Sequence, residues 1–219
     1  LEFNMNLKSI FAEISTGNEI IRDNLEEVFH RRRSTLLVLP SISRKIISAA
    51  QRLEGCWLAG GAALALYTGD IHQIKDWDLF FKSLDCWQHA KYEFEKMGFK
   101  WKMKSDWSHT LELSNVEVQL VTRHLYDRVD QIFDKFDFTV CCFALDGKDL
   151  CYTKEAKRDV EKKEFNFIYT ENLTTCIKRV ARYGAKGYMP STAFVHDISK
   201  IFKNTPTKIL KKQKGSKKS

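Results

Sequence analysis

The sequence predicts an α/β (α+β) fold, a mixed β-sheet flanked by helices and followed by a helical C-terminal portion. Two observations predict it. Three β-like runs with short connections crowd between about residues 99 and 121, and helix-period segments separate the other strand-like runs. Beyond Lys154 the pattern is almost wholly helical.

In chain order, Pro40 followed by Ser41 as N-cap opens a helix to about Leu53, with Ile42, Ile46, Ala49 and Leu53 at helical spacing. The short apolar run Cys56–Ala59 reads as a strand ending at Gly60-Gly61, and Ala62 to Tyr67 as a short helix. Trp77 to Phe81 reads as a buried strand, and Leu84 to Met97 as an amphipathic helix stopped by Gly98. The three β-like runs are Phe99–Lys104, His109–Leu113 and Val116–Val121. A helix near Tyr126–Phe133 then leads to a strand over Phe138–Leu145, turned at Asp146-Gly147. Helices follow over Lys154–Lys163, Leu173–Lys186 with Asn172 as N-cap, and Thr192–Phe202. The expected division is a core over 5–150, a helical portion over 151–204 and a lysine-rich tail over 205–219. Leu1 to Asn4 read as a cloning remnant before Met5.

A chain of 219 residues with 43 % hydrophobic side chains can build a full core. With no apolar run of about 18 residues and no signal-peptide order, a cytoplasmic protein with no membrane partner is expected. Six scattered cysteines without a C-x-x-C pair argue against both a zinc knuckle and a secreted disulfide framework. The net charge of +8 is local: eight of the 36 basic residues are lysines from Lys200 onward, where no acid occurs, leaving 28 against 28 acidic residues elsewhere. Such a tail suits either polyanion binding or solubility.

The chemistry concentrates between Gly60 and Phe81. On a strand Asp76 and Asp78 project from one face while Trp77 and Leu79 turn inward. Two such carboxylates repel unless a cation lies between them, and a hard divalent ion with oxygen ligands is the natural partner. Gly60-Gly61 opens a helix whose backbone N–H groups and bare Cα atoms admit an anion such as phosphate. Each feature also has a structural explanation, as a solvated strand end and a tight turn. Together they are the parts of a phosphoryl or nucleotidyl transfer site.

The string from Leu58 to Gly69 followed by Asp76-Trp-Asp-Leu-Phe-Phe81 resembles the DNA polymerase beta-like nucleotidyltransferase superfamily, and is similar to abortive-infection nucleotidyltransferase toxins. Phe136-Asp-Phe-Thr-Val140 resembles the R-D-F-T-I-N-A block in the head domain of CCA-adding enzymes and poly(A) polymerases, and 154–168 and 172–187 echo their later segments. The resemblance implies a nucleotidyltransferase core that uses two Mg²⁺ ions, or Mn²⁺ in their place, and an NTP. It implies that Glu117, in Val116-Glu-Val-Gln-Leu-Val-Thr-Arg123, joins Asp76 and Asp78 as the third metal ligand or base. It further implies that Asp137 meets the ribose, while Gly60, Gly61, Lys178, Arg179 and Arg182 bind the triphosphate. For the basic residues a solvated helix face is the competing explanation.

The chain departs from the CCA-adding pattern in three places. Leu64-Ala65 replaces an Arg-Asp pair, Lys135-Phe136 replaces a doubled arginine, and the base-selecting E-D-x-x-R block has no counterpart. The neck, body and tail that grip tRNA also lack one, so template-free CCA synthesis is not expected. The reading is a magnesium-dependent nucleotidyltransferase acting on a hydroxyl, with an RNA 3′ end favoured as acceptor. Its alternatives are a non-catalytic nucleic-acid-binding or regulatory module of the same fold and a toxin-like tRNA-modifying enzyme. Arg31, Arg32 and Arg33, before the first clear strand, read as a charged loop that could add to an RNA surface.

Overall fold

The structure, a computed structural model, describes residues 19–32, 39–170 and 172–204. Its elements are β1 (Ile20–Asn24), α1 (Leu25–Arg31), α2 (Ser41–Arg52), β2 (Cys56–Ala59), α3 (Gly61–Thr68), β3 (Asp76–Phe81), α4 (Leu84–Lys96), β4 (Lys100–Lys104), β5 (Ser108–Leu113) and β6 (Val116–Val121). They continue with α5 (Val129–Phe133), β7 (Phe143–Asp146), β8 (Asp149–Thr153), α6 (Lys154–Lys162), β9 (Glu164–Phe165), α7 (Leu173–Ala185), β10 (Met189–Pro190) and α8 (Thr192–Asn204).

Eight strands form one mixed sheet in the order β1-β8-β7-β2-β3-β6-β5-β4, antiparallel except where β3 meets β6. The expected α+β class is what forms. Strands β2, β3 and β7 form the middle, where Leu58, Leu79, Phe81, Phe143 and Leu145 are fully buried. Apolar residues recur on both sides of these strands because helices cover the sheet. Helix α4 buries only Ala90 and Phe94 and leaves its other face wet. No helix among the described residues is long and apolar enough to cross a membrane. All six cysteines are free, and five are buried as small apolar side chains.

Several expectations need correction. Pro40, not Ser41, occupies the N-cap of α2, with no side-chain cap. The run Phe138–Leu145 is not one strand: Thr139–Cys141 forms a 3₁₀ turn and only Phe143–Asp146 pairs in the sheet. The cause is local. Thr139 Oγ1 donates to the buried Asp159 carboxylate at 2.5 Å, which pulls the chain out of a ladder. Strand β8 follows the Gly147 turn and keeps the sheet running past residue 150. A strand, β1, precedes the arginines: Arg31 pairs with Asp23 at 2.7 Å and Arg32 lies 5.0 Å from the Tyr67 ring centre. Arg33, Met5 and the tail over 205–219 lie outside the described residues.

Candidate active site

Register builds the site. Antiparallel pairing sets Ala59, the last residue of β2, opposite Asp78 of β3, so the Gly60-Gly61 turn starts beside the aspartates. Gly60 donates its N–H to Phe143 O at 2.9 Å and adopts φ +76°, a conformation that favours glycine. At Gly61 the protein itself would admit a side chain, since a Cβ there would meet only Lys186 Nζ, at 4.0 Å. Helix α7 descends on the same point, its N-cap Asn172 accepting from Thr175 N at 3.1 Å.

These elements enclose a cleft of about 120 Å³ whose lining includes Gly60, Gly61, Lys75, Asp76, Asp78, Asp137, Arg179, Arg182 and Lys186. Asp137 is 5 % exposed and accepts from Arg179 Nη1 at 2.6 Å, a short charge-assisted pair. The Asp76–Asp78 pair is compensated far less. Burial first, and then the charge of Asp76, push the Asp78 carboxyl up to about 7, with Arg179 and Arg182 acting against the shift. Burial holds Lys186 below the usual lysine range, and the neighbouring Arg182 and Lys75 act in the same direction.

Of the residues expected at the site, Gly60, Gly61, Asp76, Asp78, Asp137, Arg179 and Arg182 line this one cleft. Two do not. Lys178 is exposed on α7 and is not among the lining residues. Glu117 sits beside Asp76 in the parallel β3–β6 register, but its Oε1 accepts from Lys102 Nζ at 2.6 Å, and Lys102 also donates to Glu112 at 3.0 Å. The residue beside Asp78 is Gln119, whose Nε2 lies 3.4 Å from Asp76 Oδ2. The expected three-carboxylate cluster is therefore not assembled: among the described residues no three His, Cys, Asp or Glu side chains are placed to hold a metal ion. The lysine at the β4 bulge is the physical reason, because it offers Glu117 a closer cation.

Sequence reasoning missed Lys186 and Lys75. Arg179, Arg182 and Lys186 follow i, i+3, i+7 spacing, the stripe that one helix face presents, and extending that period past Arg182 would have found the third.

The sequence profile of the Gabija anti-defense 2 family matches residues 21–163, which takes in β1 through α6 and both aspartates. The chain belongs to this family. No curated protein matches the sequence. Among solved structures, this Gabija anti-defense 2 family member is similar to a CCA-adding enzyme with ATP (TM-score 0.62, 14 % identity, 84 % of this chain and 46 % of that one). A CCA-adding enzyme with CTP gives TM-score 0.59 at 18 % identity, covering 84 % of this chain and 47 % of the other. The Thermotoga maritima CCA-adding enzyme complexed with tRNA gives 0.58 at 14 %, covering 82 % and 45 %. The chain thus spans about half the length of these structures, and the likeness establishes a nucleotidyltransferase-like fold.

The residues present fit a divalent cation held by two carboxylates. Asp76 and Asp78 share a strand face, and Asp78 resists ionisation without a positive partner. Phosphate oxygens and water can fill the remaining octahedral positions of Mg²⁺.

Proposed function

We propose that this cleft is a nucleotidyl-transfer site that moves an NMP from an NTP to a hydroxyl, with an RNA 3′ end as the favoured acceptor. One observation carries the reading: an undercompensated aspartate pair, a glycine turn and a basic helix stripe meet in a single cleft. At about 120 Å³ the cleft suits phosphates and ions and falls short of the roughly 300 Å³ that a drug-sized ligand uses. The nucleoside would therefore lie across the rim.

Asp76 and Asp78 would hold the metal. A bound divalent cation would neutralise them, lower the pKa of the attacking hydroxyl and offset charge on the leaving pyrophosphate. Gly61 leaves room for a phosphate oxygen beside the α3 N-terminus. Arg182, Lys186 and Lys75 supply positive charge facing the carboxylates, where a triphosphate needs it. Asp137, with its charge engaged by Arg179, fixes that arginine at the cleft. The anti-defense part of the family's description suits a setting in which adding a nucleotide disables something that the Gabija defence requires.

The engagement of Glu117 by Lys102 favours a second reading, a binding module of the same fold without turnover. One experiment separates them: α-labelled NTPs with Mg²⁺ and total RNA, beside the Asp76→Ala/Asp78→Ala variant. Label on RNA that falls by more than about a hundredfold in the variant supports transfer. RNA retained without label supports the module and overturns the enzymatic reading.

A further inference from the structure

The two tryptophans that stand well exposed among the described residues, Trp101 (44 %) and Trp107 (51 %), occur together at the outer edge of the sheet. Trp101 lies on β4, the terminal strand, whose sequence Lys-Trp-Lys-Met-Lys is exposed at all five positions. Trp107 follows in the hairpin to β5, and Tyr92, 60 % exposed, lies on the adjoining helix α4. Each ring carries a cation. Lys91 Nζ is 5.2 Å from the Trp101 ring centre, Lys96 Nζ is 6.0 Å from that of Tyr92, and the Arg123 guanidinium lies over Trp107. Lys102 is committed to Glu112 and Glu117, while Lys100 and Lys104 make no ion pair among the described residues.

We propose that this edge is a binding platform for single-stranded nucleic acid. Exposed flat rings take stacked bases of any sequence, and interleaved cations take the phosphates between them. A base-paired duplex offers phosphates but no free base face. The centre of a protein interface is depleted in lysine, and strand addition is opposed here by the edge lysines and by the bulge between Trp101 and Met103. A membrane surface needs a continuous apolar face, which Glu93, Glu95 and Asp106 interrupt.

Only Lys100 and Met103 of this edge share the cleft's face; Trp101 pairs with Leu111 and leads through Val118 to Trp77, on the face opposite Asp76 and Asp78. Lys100 pairs with Glu112, Glu112 with Glu117 and Glu117 with Asp76, while Met103 leads through Thr110 and Gln119 to Asp78. Three strand spacings make about 14 Å, which about four stacked nucleotides span. The binding claim stands apart from catalysis, since it needs neither metal nor NTP. In the enzymatic reading, a strand held on the platform would cross the sheet edge past Lys100 to reach the cleft.

The test uses the full chain without metal or nucleotide and measures fluorescence anisotropy of a labelled single-stranded U-rich 12-mer, the matching duplex and anionic vesicles of phosphatidylserine and phosphatidylcholine. The single strand should bind at least about tenfold more tightly than the duplex, and Trp101→Ala/Trp107→Ala should cut that affinity about tenfold or more. Trp101→Phe/Trp107→Phe should restore most of it, which separates stacking from loss of fold. Lys100→Gln/Lys104→Gln should lower the slope of log affinity against log salt by about 1.4. Binding is read without metal or NTP and transfer with both, so loss of transfer and loss of binding are distinguished. Unchanged binding in the tryptophan-to-alanine variant, equal affinity for duplex, or preferential capture by vesicles would overturn the proposal.

Discussion

Asp159 meets Thr139 of the 3₁₀ turn, Asp78 shares a cleft with Cys141 of the same turn, and the chain treats the two acids differently. Asp159 is 1 % exposed and accepts from Thr139 Oγ1 at 2.5 Å, Asn166 Nδ2 at 2.7 Å and Arg158 Nε at 2.9 Å. Asn166 in turn accepts from Ser191 Oγ at 2.5 Å, so this knot ties α6, the 3₁₀ turn and the start of α8 together. Asp78, in the cleft, receives no hydrogen bond among the described residues, and its carboxyl is driven up to about 7 by burial and by Asp76. A buried acid whose lone pairs are filled serves the fold. One left partly unfilled and next to a like charge costs the fold stability and is arranged for something that arrives later.

The sharpest way to break this contrast is to remove each acid in turn. Asp159→Ala strands the Thr139 hydroxyl and the Asn166 amide and should cost about 3 kcal/mol, read by urea unfolding. A loss below about 1 kcal/mol would mean the knot is not structural. Gly60→Ala comes next, at about 1–3 kcal/mol, because φ +76° is unsuited to an L side chain although Phe136 Cζ, the nearest atom at 3.7 Å, leaves room. Gly61→Ala should leave the melting temperature unchanged or higher and weaken NTP binding, since only the approach space is filled.

Asp78→Asn should act in the opposite sense to Asp159→Ala. The folded carboxyl titrates at about 7, above its unfolded value, so the native state holds a proton that the unfolded state releases. Stability carried by the protonated form is complete below about pH 4 and is lost as pH rises towards 7. The variant should therefore be more stable than the parent by more than about 1 kcal/mol at pH 8 and equal to it near pH 4. Equal stability at both pH values would place Asp78 with Asp159. The smallest expected effect is Lys102→Ala. Both partners of its salt bridges are partly exposed, so stability should move by less than about 1 kcal/mol. Release of Glu117 should nonetheless tighten Mn²⁺ binding several-fold by paramagnetic titration, and unchanged affinity would mean Glu117 has no access to the aspartates.

Much of this contrast was legible in the residues. Alternation placed Asp76 and Asp78 on one strand face, and Gly60-Gly61 announced the turn, because both are local rules of backbone geometry. Asn172 and the α7 stripe were equally readable, and so in retrospect was α1: Asn24 caps it, with Glu26 and Glu27 in its first turn and Arg31 in its last. The pairing of Glu117 with Lys102 was not legible. It depends on a β-bulge between Trp101 and Met103 that brings a lysine from two strands away, and a long-range register shift leaves no local signature. The split of Phe138–Leu145 was hidden for the same reason, since Thr139 is drawn off by an acid 20 residues later. The platform at β4 was visible only as three lysines and a tryptophan until the sheet order made it an edge.

The most direct test is the carboxyl titration of Asp78 followed by ¹³C NMR, with Asp78→Asn to assign the resonance, in the absence and presence of Mg²⁺. A carboxylate pair arranged for a cation should give a midpoint near 7 without the ion and one that falls below about 5 with it. A midpoint in the ordinary range near 4 that Mg²⁺ leaves in place would contradict the assignment of this cleft to metal-dependent transfer.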